Sequence, residues 1–161
     1  MGHSLGSHVA SSIGKSIFKR TSRKLGRITA LDPAGPKFDK FDINTKIFIN
    51  DADFVDVVHT DIQYYGYTRP AGHVDFYPNS GKHQNGCPQE TTTEEEANCS
   101  HARSTLYFIE SLTRKAKAQE ADYVEEVDEV FINVKENAKV IVFGQHVDRD
   151  ARGSFFLRNQ F

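Results

Sequence analysis

Long apolar runs are missing from this chain of 161 residues. No window approaches eighteen uncharged apolar residues, and the longest apolar stretches, such as Val140 to Gly144, are strand-sized. No segment is therefore long and apolar enough to cross a membrane as a helix. An excess of charge is missing too. The 20 Lys and Arg against 22 Asp and Glu give a net charge of -2, which excludes a strongly basic nucleic-acid binder at the level of composition. Cysteine is scarce: Cys87 and Cys99 lack the second Cys pair or the nearby His pair of a structural zinc site. A disulfide closing the loop Pro88 to Asn98 is the favoured expectation, against two buried free thiols. A loop of that length is worth about 3 kcal/mol when closed, and the bond points to an oxidising compartment. Internal repeats are absent. The opening residues Met1-Gly2-His3-Ser4 carry neither the basic start nor the apolar stretch of a signal peptide.

What is present suits one domain of ordinary size or a piece of a larger one. Hydrophobic residues make up 38% and charged residues 26%, enough apolar material for a core. Leu5, Val9, Ile13 and Ile17 recur at helical spacing, with Lys15, Lys19 and Arg20 toward the end. Arg27 to Leu31 is a short apolar run halted by Asp32-Pro33-Ala34-Gly35-Pro36, the pattern of a buried strand entering a turn. Phe54 to His59 and His73 to Tyr77 are two further strand-like runs. Leu106, Ile109 and Leu112 predict a helix after His101, closing in Arg114-Lys115-Ala116-Lys117. Beyond Tyr123 three strands are expected, near Val127 to Val134, Lys139 to Val147 and Ser154 to Leu157, with an antiparallel character. Helices alternating with apolar strands give an α/β class.

Gly2-His3-Ser4-Leu5-Gly6 matches G-x-S-x-G, a pattern that arises by chance in about one chain in twenty of this length. Its context adds weight. In a nucleophile elbow the serine sits on a strained strand-to-helix turn flanked by small residues, and here a helical pattern follows at once. A serine nucleophile needs a base, and the base needs an orienting carboxylate. In this elbow class the chain order is Ser, then Asp or Glu, then His. Asp32 closes an apolar run, so it falls at a strand's carboxyl end, where open α/β sheets carry their sites. His101 follows the Cys87–Cys99 loop directly and precedes a helix. The alternatives are a surface hydroxyl for Ser4, a turn or cap residue for Asp32 and a helix-start polar residue for His101.

The stretch Gly2-His3-Ser4-Leu5-Gly6-Ser7-His8-Val9-Ala10 resembles the elbow of the animal lipase family, which includes pancreatic, hepatic and lipoprotein lipases and the secreted phospholipases A1. The likeness continues in order through Gly26 to Pro36, Phe54 to Asp61, Gly72 to Gly81 and Cys99 to Ser104. Ala151 to Arg158 is a weaker match. Together these stretches span nearly the whole chain. The resemblance implies an α/β-hydrolase fold with Ser4 as nucleophile, Asp32 as triad acid, His101 as base and the Leu5 backbone N–H as one oxyanion donor. It implies acyl transfer on a lipid ester at a lipid surface by a secreted enzyme, with Cys87 and Cys99 bonded.

Family domains carry several strands ahead of this point, with the loop that gives the second oxyanion donor. No strand fits into the three residues before Ser4. The expectation is therefore that residues 1–161 are the C-terminal part of one catalytic domain, without a separate second domain, and of low stability because a sheet edge and apolar faces are left open. The clasped loop Pro88 to Asn98 is short and holds Glu90, Glu94, Glu95 and Glu96, and Ile62 to Ala71 is brief. Short versions of both loops resemble the phospholipase A1-like branch more than triacylglycerol lipases. The competing reading is a non-catalytic, lipid-binding relative of the yolk-protein kind, or an inactive truncated product. No cofactor is required. Calcium is the one metal that Asp51, Asp53, Asp56 and Asp61 invite, without an EF-hand spacing. His3, His8, His59 and His73 are expected to pack or hydrogen-bond, and His83 and His146 to be exposed.

Overall fold

The computed structural model describes residues 1–38, 45–88, 93–127 and 129–158. Gln89 to Thr92 of the expected loop, with Glu90, and the stretch 39–44 lie outside the described residues. The framework is one eight-stranded mixed sheet with a long helix on each face. Its elements in chain order are β1 (Gly2–Ser4), α1 (Leu5–Thr21), β2 (Ile28–Pro33), β3 (Val55–Val58) and β4 (Val74–Pro78). There follow α2 (Thr93–Glu110), β5 (Lys117–Glu126), β6 (Glu129–Val134), β7 (Val140–Val142) and β8 (Gly153–Leu157). The strands lie in the order β1-β2-β3-β4-β8-β5-β6, and β7 pairs with β5 off this path.

β1, β2, β3, β4 and β8 are mutually parallel, which is why β2, β3 and β4 are buried along their whole length. Alternation divides their side chains between two cores. Ile28, Ala30, Val55 and Val57 meet Ala10 of α1, while Leu31, Val58, Val74 and Phe76 meet Tyr107 and Phe108 of α2.

Three expectations are corrected, and the face that α1 buries, left open by the spacing, is defined. A strand does precede Ser4: the three residues of β1 pair with β2, too few for any periodicity to show. α1 runs where expected, but with its apolar stripe outward. Leu5, Val9 and Ile13 are 57%, 53% and 50% exposed, while Ser7, His8, Ser11 and Gly14 are buried. A helix that crosses a sheet closely needs small side chains beneath it; a Cβ on Gly14 would collide with the Asp51 carbonyl. α2 starts inside the clasped segment, so His101 sits within the helix rather than ahead of it. Its exposed residues again include Leu106 and Ile109, with Leu112 just beyond it. Finally, β5 was not expected, and the closing strand β8 runs parallel to β4 while pairing antiparallel with β5.

Candidate active site

Ser4 ends β1 and immediately precedes α1 with φ 54° and ψ −125°, a left-handed conformation in which its side chain makes no capping hydrogen bond. A side chain so placed costs about 1–3 kcal/mol. Close approach on the entry side makes the turn possible: a Cβ on Gly2 would overlap the Gly6 carbonyl, and the Ser7 hydroxyl donates to the Gly2 carbonyl at 2.8 Å. Gly6 is different, since a Cβ there would meet no described atom within 4 Å. Leu5 is the first residue of α1, so its backbone N–H has no acceptor within the helix.

The β1–β2 register slips at this point, with His3 opposite Leu31 and Ser4 opposite Pro33. Asp32 is skipped, has φ 41° and is fully buried. Its Oδ1 accepts the backbone N–H groups of Thr60 at 2.8 Å and Asp61 at 3.2 Å, both just past the end of β3. Its Oδ2 lies 2.6 Å from His101 Nδ1. With a carboxylate on Nδ1, that nitrogen holds the proton and Nε2 is left as the free acceptor.

α2 is pinned so that His101 reaches this carboxylate. The bond Cys87–Cys99 ties the helix to the segment after β4. Buried Gln84 donates to the carbonyls of Thr60 and Pro78 at 3.0 and 2.9 Å, and its own N–H donates to Ser100 Oγ at 3.1 Å. His3 supplies a third tie: its Nε2–H donates to the His101 carbonyl at 3.1 Å, and the two rings lie 4.5 Å apart.

The first part of the brief loop Ile62 to Ala71 packs over the site, together with Asp61. Residues 61–67 fold back over Asp32, with Tyr67 N–H donating to the Pro33 carbonyl at 2.6 Å and Gly35 N–H to the Tyr65 carbonyl at 2.7 Å. Tyr65 lies 5.6 Å from the His101 ring, beside a surface hollow of about 440 Å³ lined by Gln63, Tyr64, Tyr65, Glu94 and Ala97. This fold brings a second carboxyl to the pair. One ligand atom each from Asp32, Asp61 and His101 lie within 4.8 Å of one another, the one such cluster of three among the described residues. Burial pushes the Asp61 carboxyl up to about 7; the Asp32 charge adds to the rise, and the Tyr65 N–H and His101 oppose it.

A matching family model, described as Lipase, covers residues 1–131. The chain belongs to the lipase family. Its relatives include Lipase member H-B of Xenopus laevis, 45% identical over 114 residues, 70% of this chain and 24% of that protein. Pancreatic triacylglycerol lipase of Equus caballus is 39% identical over 130 residues, 70% of this chain and 27% of that protein. Hepatic triacylglycerol lipase of Rattus norvegicus is 39% identical over 128 residues, 70% and 26%. The chain thus spans about a quarter of the length of these lipases.

Most of the other histidines and acids that the sequence singles out in this lipase chain have partners within the fold. His59 lies between the Tyr67 carbonyl and Asp75, at 2.8 and 2.9 Å. His73 accepts the Val55 N–H, and buried His8 donates to the Ala34 carbonyl. His83 is not free: it pairs with Glu96 at 2.7 Å. The acids that invited calcium are dispersed, Asp51 to Lys15 and Ser11 and Asp56 to Arg27.

Proposed function

We propose that this chain is the C-terminal part of a secreted lipid ester hydrolase domain acting through Ser4, Asp32 and His101. The observations that carry the reading are the hydrogen bond between fully buried Asp32 and His101 and the strained backbone of Ser4 at the strand-to-helix turn. His101 Nε2 takes the Ser4 proton as Ser4 Oγ attacks the ester carbonyl. The backbone N–H of Leu5 faces the oxyanion, and His101 then returns the proton to the leaving alcohol. Water activated by His101 releases the fatty acid. Asp32, held by two backbone donors, fixes the imidazole tautomer.

The partial-domain reading draws support from the open faces. β1 is an edge strand, and the outward sides of α1 and α2 on opposite faces both expose apolar side chains. Further strands and helices of the same domain cover these surfaces and supply the second oxyanion donor. The phospholipase A1-like preference rests on the short loops. α2 already begins at Thr93, so little of the disulfide-closed segment is left to shield a wide apolar groove. A disulfide also suits a secreted protein.

The test is covalent labelling by a fluorophosphonate, read by intact mass. One adduct, lost in Ser4→Ala and slowed by about three to four orders of magnitude in Asp32→Asn, is the expected result. No adduct on the unmutated chain refutes catalytic assembly in residues 1–161. With the front of the domain restored, faster release of fatty acid from phospholipid than from emulsified triacylglycerol is expected, and the reverse refutes the substrate preference.

A further inference from the structure

We infer that Asp61 is a positioning residue for the base, a second carboxyl that shares the charge of His101 with Asp32 and sets the pH at which the imidazole is ready to accept a proton. This inference rests on the assignment of His101 as base, and deepens it.

The argument begins with placement. Asp61 is joined to the dyad twice: its backbone N–H donates to Asp32 Oδ1 at 3.2 Å, and its carboxyl lies in the cluster whose members reach within 4.8 Å of one another. Its own conformation is held by the Tyr65 N–H, which donates to Oδ2 at 3.0 Å, and by its carbonyl, which accepts the Gly66 N–H at 2.8 Å. The side chain therefore cannot swing away without unmaking the turn that covers Asp32. Asp61 is buried, so a charge on it is costly in the resting site and is favoured when a cation forms beside it.

That cation is the His101 imidazolium. Asp32 is already an acceptor for two backbone N–H groups and for His101 Nδ1. A single buried carboxylate thus answers the resting site, and a second becomes favourable only while His101 carries its extra proton. The two groups titrate as a pair: ionisation of Asp61 holds the proton on His101, and protonation of His101 drives the Asp61 proton to solvent. The other polar groups around the pair are His3 from β1, Asp32 from β2, Tyr65 from the covering turn and Glu96 from α2. His3 donates to a carbonyl and Glu96 is paired with His83, which leaves Asp61, among the described residues, as the carboxyl besides Asp32 that answers the charge on His101.

The experiment follows the His101 ring by NMR across pH 4 to 9 in the unmutated chain and in Asp61→Asn, whose amide oxygen still accepts the Tyr65 N–H. The expected result is a fall of about one pH unit in the His101 midpoint. The acid limb of the fluorophosphonate labelling rate should move by the same amount. A midpoint within about 0.2 units of the unmutated value, at that same level of expected coupling, overturns the inference, because a purely structural role would lower the rate without moving the limb. If Asp61→Asn does not fold, the Asp61 carboxyl carbon of the unmutated chain decides. Titration in the same step as His101 supports the inference, and titration below about pH 5 overturns it. Should Ser4 fail to label at all, catalytic assembly in residues 1–161 is refuted while the ring titration still decides the part played by Asp61.

Discussion

Gly66 lies so close to the Asp32 carboxylate that a Cβ built on it would stand 2.6 Å from Oδ1 and 2.8 Å from Oδ2. Gly66 is itself held from behind: a Cβ on Gly35 would overlap the Gly66 carbonyl. The fully buried acid is therefore roofed by bare backbone. Gly66→Ala should cost about 1–3 kcal/mol by overpacking and slow labelling at least about tenfold by displacing the carboxylate. Denaturant unfolding and labelling kinetics check both; an unchanged rate would refute the tight roof.

Ser4 offers a comparison in which loss of function and gain of stability part company. Both Ser4→Gly and Ser4→Ala abolish labelling, yet only glycine relieves the left-handed φ of 54°. Ser4→Gly should be more stable than Ser4→Ala by about 1 kcal/mol, measured by urea unfolding of the two variants side by side.

Asp61 makes a distinct prediction for stability against pH. Its folded-state value of about 7 stands above the ordinary 3.8. Between those values the folded chain holds a proton that the unfolded chain has lost, so stability falls as pH rises through that window. The limiting slope is about 1.4 kcal/mol per pH unit. Asp61→Asn should flatten this decline, which makes it more stable relative to the unmutated chain at pH 7 than at pH 4. Parallel curves for the two proteins would contradict the raised value.

The outward stripe of α1 predicts near-neutral substitutions where a helical wheel alone would predict severe ones. Val9→Gln and Ile13→Gln should each change stability by less than about 0.5 kcal/mol, and together should reduce self-association in sedimentation velocity. A loss of 2 kcal/mol or more, of the size given by truncating a buried aliphatic side chain, would place these residues in a core.

Removing the bond between Cys87 and Cys99 should cost about 3 kcal/mol. The loss is expected to appear first as weakened seating of α2, because Gln84 and Ser100 then hold the helix without the covalent tie. Hydrogen exchange of α2 amides in Cys87→Ser/Cys99→Ser reads this directly; exchange unchanged from the disulfide-bonded chain would count against it.

The strands that carry the site were legible because parallel strands buried on both faces read as nearly continuous apolar runs, as in Phe54 to Val58, where Asp56 is the one polar residue. Asp32 was legible for the same reason, as the polar residue that stops such a run. The face of α1 was not, because close packing on a sheet selects Ser7, Ser11 and Gly14, which no hydrophobic pattern marks. β5 escaped because, of its ten residues, only Ala118 and Ala121 are buried, too small and too widely spaced to signal a strand. Asp61 was visible as one acid among several. Its nearness to Asp32 depends on the β2–β3 register, which sets Leu31 against Val58 and which lies beyond local sequence.

One consequence concerns the order of synthesis. β8 follows β5, β6 and β7 in the chain yet stands between β4 and β5 in the sheet. A growing chain can assemble β1 to β4 and form the β5–β6 hairpin, but the two pieces have no common edge until Gly153 to Leu157 has been made. Each then gains a partner in one step, β4 on one side and β5 on the other. Such a late, long-range closure is slow, and it leaves the edges of β4 and β5 bare in the interval. A nascent chain stalled before Gly153 would carry Ser4, Asp32 and His101 and still present the facing edges of β4 and β5 to its surroundings.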